Sequence, residues 1–78
     1  MADVTLNAGE TACGDLILLI FSEMKRLQPG QTLRVLAHDD GADMDIPAWC
    51  RSTRNVLLDS NTARVPKYFL IQKAYYLA

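Results

Sequence analysis

The order of apolar patterns along the chain predicts an α/β fold of the α+β kind. Strand-like segments occur four times and helix-like segments twice, in the order βαβαββ. A strand–helix–strand unit prefers a right-handed crossover, which lays its helix against the sheet. Because no repeat, linker or low-complexity tract interrupts residues 1–78, we expect one domain. Its predicted architecture is a two-layer sandwich, with two helices on one face of a four-stranded mixed sheet.

The first half of the chain begins with a short strand and an amphipathic helix. Residues 4–6 alternate in polarity, and a loop is expected over 7–12. A helical period runs over 15–27, where apolar residues recur at steps of three and four and share one face. These residues are Ile17, Ile20, Phe21, Met24 and Leu27.

A turn and a second strand follow this helix. Gln28-Pro29-Gly30 is typical of a helix stop. Residues 32–38 alternate in polarity and predict a strand. Arg34 and His38 then lie on the sheet face that the helices leave uncovered.

The second half predicts one helix and two strands. The helix spans 43–52, with Pro47 tolerated in its first turn because a proline lacks only an N–H that has no partner there. Residues 56–58 form the third strand, 59–64 a polar loop and 67–73 the fourth strand.

Composition excludes several classes of function. A formal net charge of −1 gives no electrostatic footprint for direct binding to nucleic acid or to an anionic membrane. The longest apolar run, residues 16–21, is far shorter than the roughly 20 residues that span a bilayer. The chain begins without the basic and apolar segments of a secretory signal, so we expect a cytoplasmic protein with free thiols.

No cofactor or metal site is expected. Cys13 and Cys50 form no CxxC pair, and His38 is the only histidine. An acidic run resembles a calcium loop, but the twelfth position, where such a loop carries a glutamate, is Cys50. Turn formation and helix capping explain this run, which consists of Asp39, Asp40, Asp43 and Asp45.

Cys13 is the candidate reactive residue because it directly precedes the first helix. Helix N-termini favour a thiolate, but by only about 0.3–1 kcal/mol at an exposed site. One pKa unit corresponds to about 1.4 kcal/mol, so this activation is mild. Gly14 gives access to the sulfur, whereas the carboxylates of Asp15 and Glu10 oppose the thiolate. Such a thiol suits a carrier loaded by another protein better than a self-sufficient nucleophile.

Four surface residues are candidates for partner docking. At 100° per residue, Leu18 and Leu19 fall on the polar side of the first helix, one turn from Cys13. Arg51 and Arg54 flank the thiol if the second helix runs alongside the first, and they either steer an acidic partner or solvate the surface. The apolar tail 74–78 either extends the last strand or packs on a neighbouring subunit.

Three features occur together in this chain: a cysteine before a helix, the stretch LQPGQTLRVLAHDDGADMDIPAWC and the terminal strand KYFLIQK. In this combination the sequence resembles the TusA family of small sulfur-carrier proteins, also called SirA-like. The resemblance covers residues 4–73 and implies the βαβαββ sandwich, with a persulfide carried on Cys13. It also implies a sulfur-donor protein, rhodanese-like or a cysteine desulfurase, and a thiol acceptor protein in tRNA thiolation, cofactor assembly or sulfur metabolism.

The chain departs from the family's pattern at the site itself. The family's Cys-Pro-x-Pro is replaced by Cys13-Gly14-Asp15-Leu16, and Glu10 stands where a glycine is common. Two alternatives to the carrier therefore remain, a non-catalytic interaction or regulatory module and a redox sensor using Cys13 and Cys50. We expect Cys50 to be buried and inert, without a disulfide, and the protein to be a monomer or weak homo-oligomer.

Overall fold

A computed structural model describes residues 2–75, with Cys13 described through its backbone alone. The elements are β1 (Val4–Gly9), α1 (Cys13–Lys25), β2 (Thr32–Ala37), α2 (Ala42–Thr53), β3 (Val56–Asn61) and β4 (Lys67–Gln72). This order confirms the βαβαββ prediction. Two helices and a four-stranded mixed sheet form the predicted two-layer sandwich.

The sheet has the strand order β1-β2-β4-β3. β1 and β2 are parallel, whereas β4 is antiparallel to both of its neighbours. Alternate residues of the two central strands are fully buried beneath the helices. They are Leu33, Val35 and Ala37 in β2, and Phe69 and Ile71 in β4. Arg34 lies on the opposite face, as predicted, because it alternates with these core residues.

The strand directions determine the directions of the helices. Since β2 and β3 are both antiparallel to β4, β3 is parallel to β2 and therefore to β1. Each helix joins two parallel strands, so each returns the chain to the starting edge of the sheet. The helices consequently run parallel to each other, with both N-termini at one end of the molecule and both C-termini at the other.

Helix α1 packs through a different stripe from the one that the sequence predicted. The core side chains are Leu16, Ile20, Met24 and Leu27, with Ile17 packed at their margin. Phe21 was predicted to be buried, but it is 48% exposed. The buried residues follow steps of four, four and three, which places Phe21 about 80–100° away from the line that faces the sheet.

Several element boundaries also differ from the predictions. β1 continues to Gly9 and β3 to Asn61, so the loops predicted over 7–12 and 59–64 are shorter. β2 ends at Ala37, so His38 lies one residue beyond the strand. Pro47 is the sixth residue of α2, past the first turn, because the helix starts at Ala42.

The C-terminal end of β4 attaches the sheet to the segment that follows α1. At its C-terminal end, Lys73 Nζ donates a hydrogen bond to the carbonyl of Leu27 after α1 (2.6 Å). Tyr75 continues past β4 without extending it, and its hydroxyl lies over Gly30. Strand extension by the tail is therefore wrong for residues 74–75, and residues 76–78 lie outside the described residues.

Leu16→Ala should destabilise the protein far more than Leu18→Ala, although both shorten a leucine of the same helix. Leu16 is 0% exposed, so its truncation leaves a cavity and should lower the free energy of unfolding by about 2–4 kcal/mol. Leu18 is 63% exposed, and its loss should change that free energy by less than about 0.5 kcal/mol. Urea denaturation of both variants measures the difference. Equal losses would contradict the burial pattern.

Candidate functional site

The turn between β1 and α1 is held by the carbonyl of Ala8. This oxygen accepts hydrogen bonds from the backbone N–H of Thr11 (3.1 Å) and from its hydroxyl (2.6 Å). Gly9 adopts a positive φ of 56°, which glycine reaches without the usual steric cost. The chain therefore reverses within a few residues between the end of β1 and Cys13, the first residue of α1.

Helix α1 begins at Cys13, two residues earlier than predicted. Ala12 is the N-cap in extended conformation, and the Leu16 N–H donates the first intrahelical bond to its carbonyl (2.7 Å). Cys13 is thus the first helical residue instead of a loop residue. Burial of Leu16, one turn later, fixes how this first turn sits on the core.

The first turn of α1 leaves donors available for an anion. Helix geometry gives the N–H groups of Cys13, Gly14 and Asp15 no intrahelical acceptor. Ala12 supplies no side-chain cap, so these N–H groups are not covered from that side. Gly14 and Asp15 are exposed, and a Cβ added at Gly14 would meet no atom within 4 Å. Open space therefore surrounds the residue that follows the cysteine.

The N-terminus of α2 lies at the same end of the molecule and is held by Lys67. The ammonium of Lys67 is 2.8 Å from the Asp43 carboxylate and 3.3 Å from the carbonyl of Asp39. Its hydrogen bond with Asp43 raises the pKa of Lys67 above its ordinary value. No local pattern in the sequence indicates this role for Lys67, because only the pairing of β4 with β2 brings it beneath α2.

The acidic run has structural roles, as the sequence analysis inferred. Asp39 Oδ2 accepts a hydrogen bond from the Gly41 N–H (3.0 Å), which closes the turn before α2. Asp43 and Asp45 lie in the first turn of that helix, where the helix dipole favours carboxylates. Among the side chains that the structure describes, no three His, Cys, Asp or Glu residues form a group that could hold a metal ion. Within residues 2–75, neither helix is long and apolar enough to cross a membrane.

The exposed face of α1 carries apolar side chains next to the site. Leu18 is 63% exposed and Leu19 is 39% exposed, which agrees with their predicted place outside the apolar stripe. Phe21 lies three residues from Leu18 on the same side, and Lys25 Nζ is 5.3 Å from its ring centroid. Leu19 follows Leu18 directly, so its side chain points about 100° away around the helix axis. Steps of four that start at Leu16 are compatible with an exposed Phe21, but the sequence alone does not select them over the stripe through Ile17.

The structure does not bring Arg51 and Arg54 to the thiol. Arg51 is in the last turn of α2, and Arg54 is its C-cap. Because α2 runs alongside α1 in the same direction, both arginines lie at the end opposite Cys13. A helix of 13 residues is about 20 Å long, which is the approximate separation between these two ends.

Cys50 is a free thiol in the core, as predicted. Its side chain is 3% exposed, and burial raises its pKa from 9.0 to about 11, slightly offset by the positive charge of Arg51. At neutral pH only about one such thiol in ten thousand is ionised. Cys50 therefore lacks both the access and the thiolate that a reactive cysteine needs.

One comparison with known proteins adds to this geometry. A family model described as sulfurtransferase TusA matches residues 4–73. The matched range starts with the first residue of β1 and ends one residue after β4. It contains all six elements and both cysteines, and it confirms the family resemblance seen in the sequence.

Cys50 should resist iodoacetamide while the protein is folded. In a Cys13→Ser variant, where Cys50 is the only thiol, alkylation should be very slow at neutral pH and should accelerate only as the pH approaches 11. Addition of urea should expose the thiol and remove this protection. Intact mass measurement follows the reaction. Rapid alkylation in buffer without denaturant would contradict the burial of Cys50.

Proposed function

This chain belongs to the TusA sulfurtransferase family, and from that premise we propose that Cys13 is the residue that carries sulfur. The family supports a general role as a sulfur carrier that works with sulfur-transfer partner proteins. The assignment of Cys13 as the sulfur-carrying residue is supported by its position in the fold. Cys13 opens the first turn of α1, between the exposed residues Ala12 and Gly14, and Cys50 is buried.

Loading is a sulfur transfer between thiols. The Cys13 thiolate attacks the outer sulfur of a donor persulfide, R–S–SH, and forms a new S–S bond to it. The bond between the two donor sulfurs breaks, and the donor leaves as the thiolate R–S⁻. The products are Cys13–S–SH and a free donor thiol after protonation, so neither oxidant nor reductant is needed.

Delivery repeats the same chemistry in the other direction. An acceptor thiolate attacks the outer sulfur of Cys13–S–SH, takes it as a new persulfide and releases the Cys13 thiolate. The uncovered N–H groups of the first turn stabilise the anionic form of the persulfide. Asp15 and Glu10 oppose that charge, so the carrier holds sulfur without becoming a strong nucleophile. The reducing cytoplasm keeps such a thiol available between cycles.

Gly14 changes the site without abolishing this chemistry. Its backbone does not need a positive φ, and the space around it is open. Its contribution is therefore access and backbone freedom next to the sulfur. A proline at this position would stiffen the first turn, but the Thr11 turn and the burial of Leu16 already hold it from both sides.

We further propose that the exposed face of α1 docks the sulfur donor. Leu18 and Phe21 lie along the same side of the helix as Gly14, since each is three or four residues from the next. This side of α1 therefore begins next to Cys13. Leu19 faces the neighbouring side and is half as accessible as an exposed residue such as Met44 (39% against 78%).

The non-catalytic module remains the second candidate function, because the Cys-Pro-x-Pro motif is absent. The redox sensor is disfavoured by Cys50, whose burial and high pKa prevent ready reaction with a partner thiol. Both alternatives keep the fold and differ from the carrier in what happens at Cys13.

Incubation with glutathione persulfide should add one sulfur atom to the protein, and Cys13→Ser should abolish the gain. Cys50→Ala is the matched control and should still be loaded, because Cys50 is not accessible. Intact mass before and after dithiothreitol measures the transfer.

Other outcomes of this experiment identify the alternatives. A sulfur gain that persists in Cys13→Ser would overturn the assignment of Cys13. No gain in the wild-type protein, with partner proteins still co-purifying, would favour the interaction module. Loss of two hydrogens upon mild oxidation would favour the redox sensor.

Leu18→Ser should slow loading from a protein donor without changing loading from a small one. With a rhodanese charged by thiosulfate, the rate should fall about fivefold, because an exposed leucine contributes apolar contact only when a partner covers it. Glutathione persulfide should load both proteins equally. Val56→Ser, on β3 and 47% exposed, is the control and should not slow either donor. Equal slowing with both donors would show that Leu18 acts on the thiol and not on docking.

A further inference from the structure

The end of the molecule opposite Cys13 carries most of its positive charge. Both helix C-termini meet there, beside the C-terminal end of β4. Five cationic side chains lie at this end, against the carboxylates of Asp3 and Glu23. The cations are Lys25, Arg26, Arg51, Arg54 and Lys73. Although the whole chain has a net charge of −1, this end of the molecule is therefore strongly basic.

The carboxylates at this end are already engaged. Asp3 accepts hydrogen bonds from the N–H and hydroxyl of Thr32 (2.8 and 3.2 Å), and Glu23 is 3.6 Å from Arg26. Arg51 and Arg54 are exposed, and neither guanidinium forms a hydrogen bond or salt bridge with another residue of the 2–75 range. Two guanidinium groups thus face solvent without a carboxylate partner.

Arg54 also occupies a backbone position that does not favour arginine. It ends α2 with φ 64° and ψ 14°, in the left-handed region where glycine or asparagine is usual. The next residue, Asn55, is of a type that favours this backbone region, but it does not occupy it. Its Oδ1 instead accepts a hydrogen bond from the N–H of Ala74 (2.8 Å). Interaction with the helix dipole does not require Arg54 either, because Arg51 already places a cation in the last turn. Arg54 therefore places a positive charge at a strained backbone position, although no contact within the fold requires that charge.

We propose that Arg51 and Arg54, with Lys25 and Arg26 on the adjacent helix end, form a docking surface for a carboxylate-rich segment of a partner protein. Arginine matches carboxylates through paired N–H donors, which suits an exposed and unpartnered guanidinium. We call these four residues the basic end surface.

A protein partner fits this surface better than a nucleic acid. Nucleic-acid binding typically neutralises many phosphates and stacks bases on several aromatic rings. The basic end surface offers four exposed cations. Two exposed aromatic rings lie nearby among the described residues: Phe21, whose ring centroid is 5.3 Å from Lys25 Nζ, and Tyr75 over the turn at Gly30. Tyrosine and arginine together are instead typical of protein interfaces.

Binding at this surface leaves the cysteine end free. The two ends are separated by the length of α1, about 20 Å. A partner held by Arg51 and Arg54 does not cover Cys13. Lys25 contacts Phe21, so the basic end surface borders the proposed donor-docking side of α1. The surface does not depend on the thiol, and its failure would leave the sulfur-carrier proposal intact.

Arg54→Gly provides the sharpest test, because it should make the protein more stable and the surface weaker. Removal of the left-handed arginine should raise the midpoint of thermal unfolding by about 5 °C. The same change should weaken binding of a fluorescent glutamate-rich peptide about fivefold at low salt. Arg54→Lys, which keeps the charge but not the paired N–H donors, should lose less affinity than Arg54→Gly. Fluorescence anisotropy and thermal denaturation measure the two effects.

Arg64→Ser is the matched control, since it removes one exposed positive charge in the β3–β4 loop at the cysteine end. It should leave peptide binding unchanged, as should Cys13→Ser. An equal loss with Arg64→Ser would show that only net charge matters and would overturn the proposal. A stabilised Arg54→Gly with full affinity would do the same. Tighter binding of single-stranded RNA than of the peptide would assign the surface to nucleic acid instead.

Discussion

Both helices run antiparallel to the strands that they connect, because each joins two parallel strands of one sheet and must return the chain to the edge where the first strand began. Because β4 lies between β2 and β3 and is antiparallel to both, β2 and β3 are parallel to each other. The same requirement therefore applies to both helices. The two N-termini therefore share one end of the molecule and the two C-termini share the other. The locations of Cys13, of the buried Cys50 and of Arg51 and Arg54 all follow from this alignment.

At the N-terminal end, local contacts replace the rigidity that a proline would give. The family motif has proline after its cysteine, whereas this chain has Gly14. Here the turn at Ala8 and Thr11 holds the chain before Cys13, and the fully buried Leu16 holds it afterwards. The backbone is therefore held on both sides of Cys13, although Gly14 itself lies in open space. This is a physical reason why loss of the motif need not abolish the proposed sulfur chemistry.

The alignment of the helices also separates charge. Carboxylates favour helix N-termini and cations favour C-termini, so Asp15, Asp43 and Asp45 lie at one end and Lys25 and Arg51 at the other. In two antiparallel helices these contributions would cancel across the molecule. In two parallel helices they add, which gives an acidic end around the cysteine and a basic end opposite. Partners of opposite charge can therefore be distinguished by where they approach.

Local pattern in the sequence was sufficient for the order of the elements, the buried face of β2 and the burial of Cys50. Each of these three features depends on local periodicity or on the type of a single residue, and neither depends on residues that are distant in the chain. The pattern was insufficient for Phe21, because a run of six apolar residues in α1 fits more than one buried stripe until the sheet selects the line through Leu16. It was also insufficient for Arg51 and Arg54. Their distance from Cys13 depends on the direction of α2, and that direction is decided by hydrogen bonding between strands that are far apart in the chain.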